Sequence, residues 1–203
     1  MPAAEALLPR FRAAHTQVLG VSIDSVYCHA SWGADLGGVS FPLLADFHPK
    51  GEMARGFGVY LDGAGITDRA TIIIDSEGIV QYAVSVGPGG QRDLSELAAE
   101  CERVDRESKG EVQDFTTPAG VPAGAILYVK SSCGFSRAAQ LARRNLHLES
   151  QIELRNVSED AAAREQLTQK GGKDQAPCLV LGSEAIYESK DIIQRMVKAV
   201  AAL

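Results

Sequence analysis

The sequence predicts an α/β protein of two domains, and three features carry that expectation. Short β-branched runs alternate with segments of helical periodicity, the pattern of sheets covered by helices. A stretch at residues 109–122, charged at first and then rich in Pro and Gly, interrupts the pattern and has little to bury. Beyond it the order of elements starts again. The 203 residues leave room for two small domains at roughly 100 residues each. The expected division is 1–108, a linker at 109–122, and 123–203.

In the first domain, Leu7, Leu8, Phe11 and Ala14 recur at near-helical spacing over residues 3–17, and Pro9 fits only in a first turn or at a kink. Val18–Ile23 reads as a buried strand, closed by Asp24 and Ser25. Residues 26–40 read as irregular around a short helix, Phe41–Asp46 as a short apolar piece, and Gly51–Gly58 as a helix. Ala70–Asp75 and Ile79–Val86 form an antiparallel hairpin about Ser76-Glu77-Gly78. Asp93–Arg106 is a helix with Leu94, Leu97, Ala98 and Cys101 on one face. The second domain reads as strand Ala125–Val129, a loop and helix over Ser132–Asn145, strand Ile152–Val157 and helix Ser158–Lys170. A hairpin of Pro177–Leu181 with Ala185–Tyr187 and a helix Ser189–Ala201, capped by Ser189, complete it. The order β-α-β-α-β-β-α is that of a thioredoxin-like fold, with helices on both faces of a mixed sheet. The first half shows the same order without its opening strand. The expectation is therefore two thioredoxin-like domains, the N-terminal one lacking its first core strand and the helix start that follows it.

Composition narrows the function. With 20 basic and 26 acidic side chains the formal charge is -6, and no basic stripe offers a nucleic-acid footprint. No apolar run approaches the ~18–20 residues of a membrane span, and the N-terminus lacks a secretory pattern. Four cysteines, at 28, 101, 133 and 178, are too few and too dispersed for a disulfide scaffold. No Cys-x-x-Cys pair exists, and His15, His29, His48 and His147 lack metal-ligand spacing, so no metal site is expected. A reducing cytoplasm fits this cysteine usage.

Cys133 carries the chemistry. It stands between a strand and a helix, where unpaired N–H groups and the positive end of the helix dipole favour thiolate over thiol. Lys130 adds positive charge, Gly134 allows close approach, and Phe135 shields one side. Ser136 occupies the place of a second cysteine and cannot resolve a mixed disulfide, so a thiol from solution must complete the cycle. The Ala176-Pro177 step heads a strand, where a cis proline would bring backbone beside the sulfur and offer it to an extended peptide. The helix start at Glu188-Ser189 suits a carboxylate.

Tyr128-Val129-Lys130, Cys133-Gly-Phe-Ser136, Gly171-Gly172, Ala176-Pro177 and Tyr187-Glu-Ser-Lys-Asp-Ile192 together resemble a glutaredoxin, and the last motif also resembles the glutathione-binding half of glutathione transferases. The resemblance implies glutathione as co-substrate, with Lys130 on its glycine carboxylate, Ala176 on its cysteinyl segment, Glu188 and Ser189 on its γ-glutamyl end, and contacts from Phe135, Gln175 and Pro177. Relatives with this motif that handle iron–sulfur clusters carry an inserted loop before the cysteine and a Trp-Pro-Thr segment, both missing here. That favours disulfide exchange over cluster transfer.

Val18–Ser25, His29-Ala-Ser-Trp32, Phe41–Asp46, Tyr60 and Arg69–Gly78 resemble the middle and end of a peroxiredoxin of the alkyl hydroperoxide reductase/thiol-specific antioxidant type. The resemblance makes Arg69 the arginine that polarises peroxide, and implies association into homo-oligomers. The family's Pro-x-x-x-Thr-x-x-Cys motif does not occur, so the sequence reads as part of a longer peroxiredoxin–glutaredoxin fusion that reduces hydrogen or alkyl peroxides with glutathione's electrons. In that reading the missing strand belongs between Val18–Ile23 and Ala70–Ile74.

The function expected is a glutathione-dependent thiol–disulfide oxidoreductase acting on glutathionylated or disulfide substrates by a monothiol route. An iron–sulfur carrier using Cys133 and glutathione, and a redox-inert interaction module, are the alternatives. Cys28, at the end of a strand, is either buried or a resolving thiol; Cys178 is either buried or close to Cys133; Cys101 is core. His29 and Trp32 are expected to pack rather than react, and Glu159-Asp160 to form a solvated helix start.

Overall fold

The computed structural model describes residues 1–201. The described chain divides into two compact units, one of residues 1–29 and 41–115, the other of residues 30–40 and 116–201.

The expected first helix is two: α1 (Pro2–Ala6) and α2 (Leu8–Ala13), broken at Leu7. Pro9 lies in the first turn of α2, where its missing N–H costs nothing. Strand β1 is Gly20–Ser22, shorter than expected, and helix α3 (Val26–Asp35) replaces most of the stretch read as irregular. Strand β2 (Leu43–Ala45) pairs parallel to β1. Helix α4 (Glu52–Gly56) leads to a small hairpin, β3 (Tyr60–Leu61) with β4 (Ile66–Thr67), for which the sequence reading had no strand. Two-residue strands have too few positions to show a period. The hairpin of β5 (Ala70–Ile74) and β6 (Val80–Ser85) is antiparallel as expected. The Asp75 carboxylate fixes its turn by accepting the N–H groups of Glu77 and Ile79 at 3.0 and 2.9 Å, and Gly78 supplies a φ of 81°.

Helix α5 (Leu94–Glu107) is capped by Asp93, which accepts from Ser95 and Glu96 at 2.9 and 3.0 Å. Its apolar face, Ala98, Cys101 and Val104, packs with Phe11, Ala14 and Ile73, and Arg10 pairs with Glu102 at 2.6 Å. Cys101 is core, as expected. His29 is buried with Ser22 at 2.8 Å, whereas Trp32 is 47% exposed and packs less than expected. The strand pairs β1–β2 and β5–β6 form separate sheets, and among the described residues no strand joins them.

The second unit contains β7 (Ala125–Val129), α6 (Gly134–Asn145), β8 (Ile152–Asn156), α7 (Ala161–Gly171), β9 (Cys178–Leu181), β10 (Glu184–Tyr187) and α8 (Ser189–Val200). The sheet order is β10-β9-β7-β8; β7 is parallel to β8 and antiparallel to β9. Every residue of β7 is buried, which is why it reads as an unbroken apolar run. Leu127 and Val129 pack with Ala139, Leu179, Ile192 and Met196 on the face covered by α6 and α8. Ile126 and Tyr128 pack with Cys178, Val180, Ala163 and Leu167 on the face covered by α7.

The exposed Glu159-Asp160 pair opens α7 as expected, whereas the cap of α8 differs from the sequence reading. Asp160 caps α7, accepting from Ala162 and Ala163 at 2.9 and 3.2 Å, while Glu159 turns away to Ser131 and Asn156. The cap residue of α8 is Glu188; Ser189 is already helical, and no side chain caps the first turn. The reason is backbone: Glu188 takes the left-handed conformation, with φ 63°, as the chain leaves β10.

Leu127 is fully buried at the centre of the sheet. Leu127→Ala should destabilise the second unit by about 3 kcal/mol, the cost of lost burial plus a residual cavity. Hydrogen exchange at residues 125–129 of the full chain checks this, with protection falling there while α5 keeps its own.

Candidate functional site

Strand register assembles one end of the second unit. Tyr128 faces Cys178, and Cys178 faces Tyr187. One residue further along each strand, Val129, Pro177 and Glu188 come level. The chain then continues through Lys130 to Cys133, which opens α6. Lys130, Cys133, Ala176, Pro177, Glu188 and Ser189, singled out on separate segments, thus share the same end of the sheet.

Cys133 is the cap residue of α6, with extended backbone, and its thiol is half-buried. Its side chain makes no close capping hydrogen bond. The surroundings nevertheless hold its pKa below the ordinary thiol value. The Ser136 hydroxyl is the largest cause, followed by the Ser136 N–H; these outweigh the opposing cost of burial, and the Phe135 N–H and the charge of Lys130 add lesser help.

Ser136 is the residue whose role the sequence reading missed. It is fully buried, and its hydroxyl oxygen accepts the Lys130 N–H at 3.0 Å. With that acceptor site used, its proton is free for Cys133. The serine that removes a resolving thiol also supports the thiolate. The signal was present as a polar residue three positions into an amphipathic helix, at the spacing that returns to the cap.

The opposite wall carries a cis Ala176–Pro177 bond, as expected. Pairing of β7 with β9 stops at Tyr128–Cys178, so the Ala176 backbone lies beyond the paired register, open to an added strand. Gln175 donates to Glu188 Oε1 at 3.1 Å. The left-handed backbone of Glu188 is uncommon outside glycine and persists where surroundings enforce it, a feature of ligand sites. The Tyr187 hydroxyl donates to the Gly171 carbonyl at 2.9 Å, an approach that a side chain at residue 171 would obstruct. Phe135 is 68% exposed beside Cys133.

The other cysteines differ. Cys178 is fully buried among Tyr128 and Leu167, on the sheet face opposite the one α6 covers, so its thiol points away from the helix that Cys133 begins. Burial pushes its pKa up, and likewise that of Cys101. Cys28 lies in α3 rather than at a strand end, and it is exposed rather than buried. Its thiol donates to Asp24 at 3.9 Å.

In the first unit Arg69 is exposed at the head of β5. Arg92, which the sequence reading did not single out, donates to the Ala70 carbonyl at 2.8 Å; partial burial and the neighbouring Arg69 charge both lower its pKa. The segment before a helix cap gave no periodic signal that could have marked it.

Residues 1–83 match the AhpC/TSA family, and residues 127–201 match the N-terminal domain of glutathione S-transferases. The chain thus carries a peroxiredoxin domain of the AhpC/TSA type at its N-terminus and a second, thioredoxin-like domain of the glutathione S-transferase N-terminal type. Alkyl hydroperoxide reductase E of Mycobacterium tuberculosis is 37% identical over 86 residues, which are 42% of this chain and 56% of that protein. The selenocysteine-containing peroxiredoxin PrxU of Peptoclostridium acidaminophilum is 36% identical over 111 residues, 50% of this chain and 53% of that one. Among solved structures, Mycobacterium tuberculosis AhpC superposes with a TM-score of 0.48 and 29% identity over 54% of this chain and 61% of that one. The chain spans about half the length of these curated relatives. Among the described residues no helix is long and apolar enough to cross a membrane.

Because the depressed pKa of Cys133 rests chiefly on Ser136, Ser136→Ala should raise it. In wild-type protein, alkylation of Cys133 should climb with pH and level off below the range of an ordinary thiol. In the variant the midpoint should move upward and the rate near pH 7 should fall, as read by peptide mass after timed iodoacetamide labelling.

Proposed function

We propose that this chain is a glutathione-dependent thiol–disulfide oxidoreductase that works by a monothiol route through Cys133. The observation that carries the reading is the placement of Cys133. A thiol with a lowered pKa caps α6 at the sheet end where the Ala176 backbone and the Glu188–Ser189 helix start converge. The match of residues 127–201 to the glutathione S-transferase N-terminal domain supports glutathione as the thiol.

The Cys133 thiolate attacks the glutathione sulfur of a mixed disulfide. The old S–S bond breaks, the other thiolate leaves and takes a proton from water, and glutathione remains bound to Cys133 as a disulfide. A second glutathione thiolate attacks the bound glutathione sulfur, releasing oxidised glutathione and restoring the Cys133 thiolate. Lys130 receives the glycine carboxylate. The Ala176 backbone pairs with the cysteinyl segment, packed by Phe135 and Pro177. Gln175, Glu188 and Ser189 hold the γ-glutamyl end, Glu188 fixed by its bond from Gln175.

The AhpC/TSA match of residues 1–83 supports peroxide as the final oxidant of the whole protein. Electrons would pass from glutathione through Cys133 to a peroxidatic thiol that reduces hydrogen or alkyl peroxides, with Arg69 polarising the peroxide.

Incubation of the reduced chain with oxidised glutathione, followed by peptide mass mapping, tests the reading. The expected result is an adduct on Cys133 that reduced glutathione removes, and none there in Cys133→Ser. An adduct spread equally over Cys28, Cys101 and Cys178, or none on Cys133, overturns it.

A further inference from the structure

The groove assigned above to glutathione leaves a second surface beside Cys133, which shares Lys130 and Cys133 with it and is otherwise without a role. A cleft of about 680 Å³ opens on the β8 side of the cysteine, lined by Lys130, Cys133, Arg137, Gln140, Asn156 and Glu159. None of Gln175, Ala176, Pro177, Glu188 or Ser189 borders it. Its size is that of a site for a small molecule rather than a gap between side chains.

The cleft carries charges of both signs, Lys130 and Arg137 basic and Glu159 acidic. Arg137 lies one turn along α6 from Cys133 and is exposed; among the described residues it makes no ion pair. Glu159 is fixed, its Oε1 accepting from Ser131 Oγ at 2.7 Å and from Asn156 Nδ2 at 2.6 Å. Asn156 in turn donates to Ser131 Oγ at 2.8 Å, so the carboxylate belongs to a preorganised network. Leu154, 39% exposed on the edge strand, supplies an apolar wall. A free guanidinium, a fixed carboxylate and an apolar wall suit a ligand that carries an anion, a cation and a short aliphatic link between them.

We propose that this cleft seats the non-glutathione half of the mixed disulfide and selects a small thiol bearing both a carboxylate and an ammonium group, the arrangement of a cysteinyl unit. The proposal rests on the exchange chemistry given above and names its substrate class. As Cys133 attacks the glutathione sulfur, the departing thiolate belongs to the molecule draped into the cleft. Arg137 pairs with its carboxylate and Glu159 with its ammonium group. The departing sulfur takes a proton from water, and the disulfide electrons balance as before.

Two substrates that share the glutathione half separate the ideas. One is the mixed disulfide of glutathione with cysteine, and the other that of glutathione with 2-mercaptoethanol, which has no charge to offer the cleft. The ratio of their kcat/KM values is measured for the full wild-type chain, Arg137→Gln and Glu159→Gln. Wild type should prefer the cysteine disulfide. Each variant should lower that ratio about fivefold, through KM, the scale of one exposed ion pair. The wild-type preference should shrink at 1 M salt, where such pairs are screened. Equal losses on both substrates, or an unchanged ratio, overturn the assignment of the cleft while leaving the exchange reaction standing. No turnover of either disulfide by wild type overturns the exchange reading and this proposal with it.

Discussion

The hydrogen bond from the Lys130 N–H to the Ser136 hydroxyl is the constraint on which the reactive end of the molecule depends. It ties the chain leaving β7 to the first turn of α6, across the loop that contains Cys133. β7 cannot shift, because all five of its residues are buried between α6 and α8 on one side and α7 on the other. The strand therefore fixes Lys130, the hydrogen bond fixes Ser136, and Ser136 fixes the polarity around the sulfur. Since Ser136 is itself fully buried, the bond forms out of competition with water, and leaving either group unpaired would be costly.

The four cysteines show how environment rather than residue type sets reactivity. Cys101 and Cys178 are pushed toward the neutral thiol by burial, and they serve as small apolar core residues. Cys28 is exposed on α3, its thiol directed at the Asp24 carboxylate. Cys133 faces N–H and O–H donors and a lysine, all of which favour the anion. The serine at 136 belongs to the same pattern: its buried hydroxyl contributes a donor that a thiol would supply more weakly.

The first unit is held differently. Its described core gathers α2, α5 and β5 around Phe11, Ala98 and Cys101, while its strands form three separate pairs. Ile74 and Val80 on the hairpin and Leu44 on β2 are exposed apolar residues. Polar turns and caps such as Asp75 and Asp93 keep the local geometry sharp where no shared sheet imposes it.

Much of the second unit was legible in the chain itself. The apolar run of β7, the amphipathic α6 and α8, and the turn residues between them place most elements within a residue or two, and the start of α7 within three, because those signals are local. The position of Cys133 at a helix start was equally local. The first unit was less legible: two-residue strands such as β3 and β4 carry no periodicity, and α3 has a weakly amphipathic sequence whose helix the surrounding structure decides. Glu188 in a left-handed conformation displaced the cap expected at Ser189, since β10 and α8 fix the angle between them. Sequence determined which elements form in the second unit and which thiol meets a helix N-terminus. Tertiary structure alone decided that Cys178 faces away from α6, that the Ser136 hydroxyl meets Lys130, and that Arg137 and Glu159 border one cleft. Each of these depends on strand order and register, which bring together residues far apart in the chain.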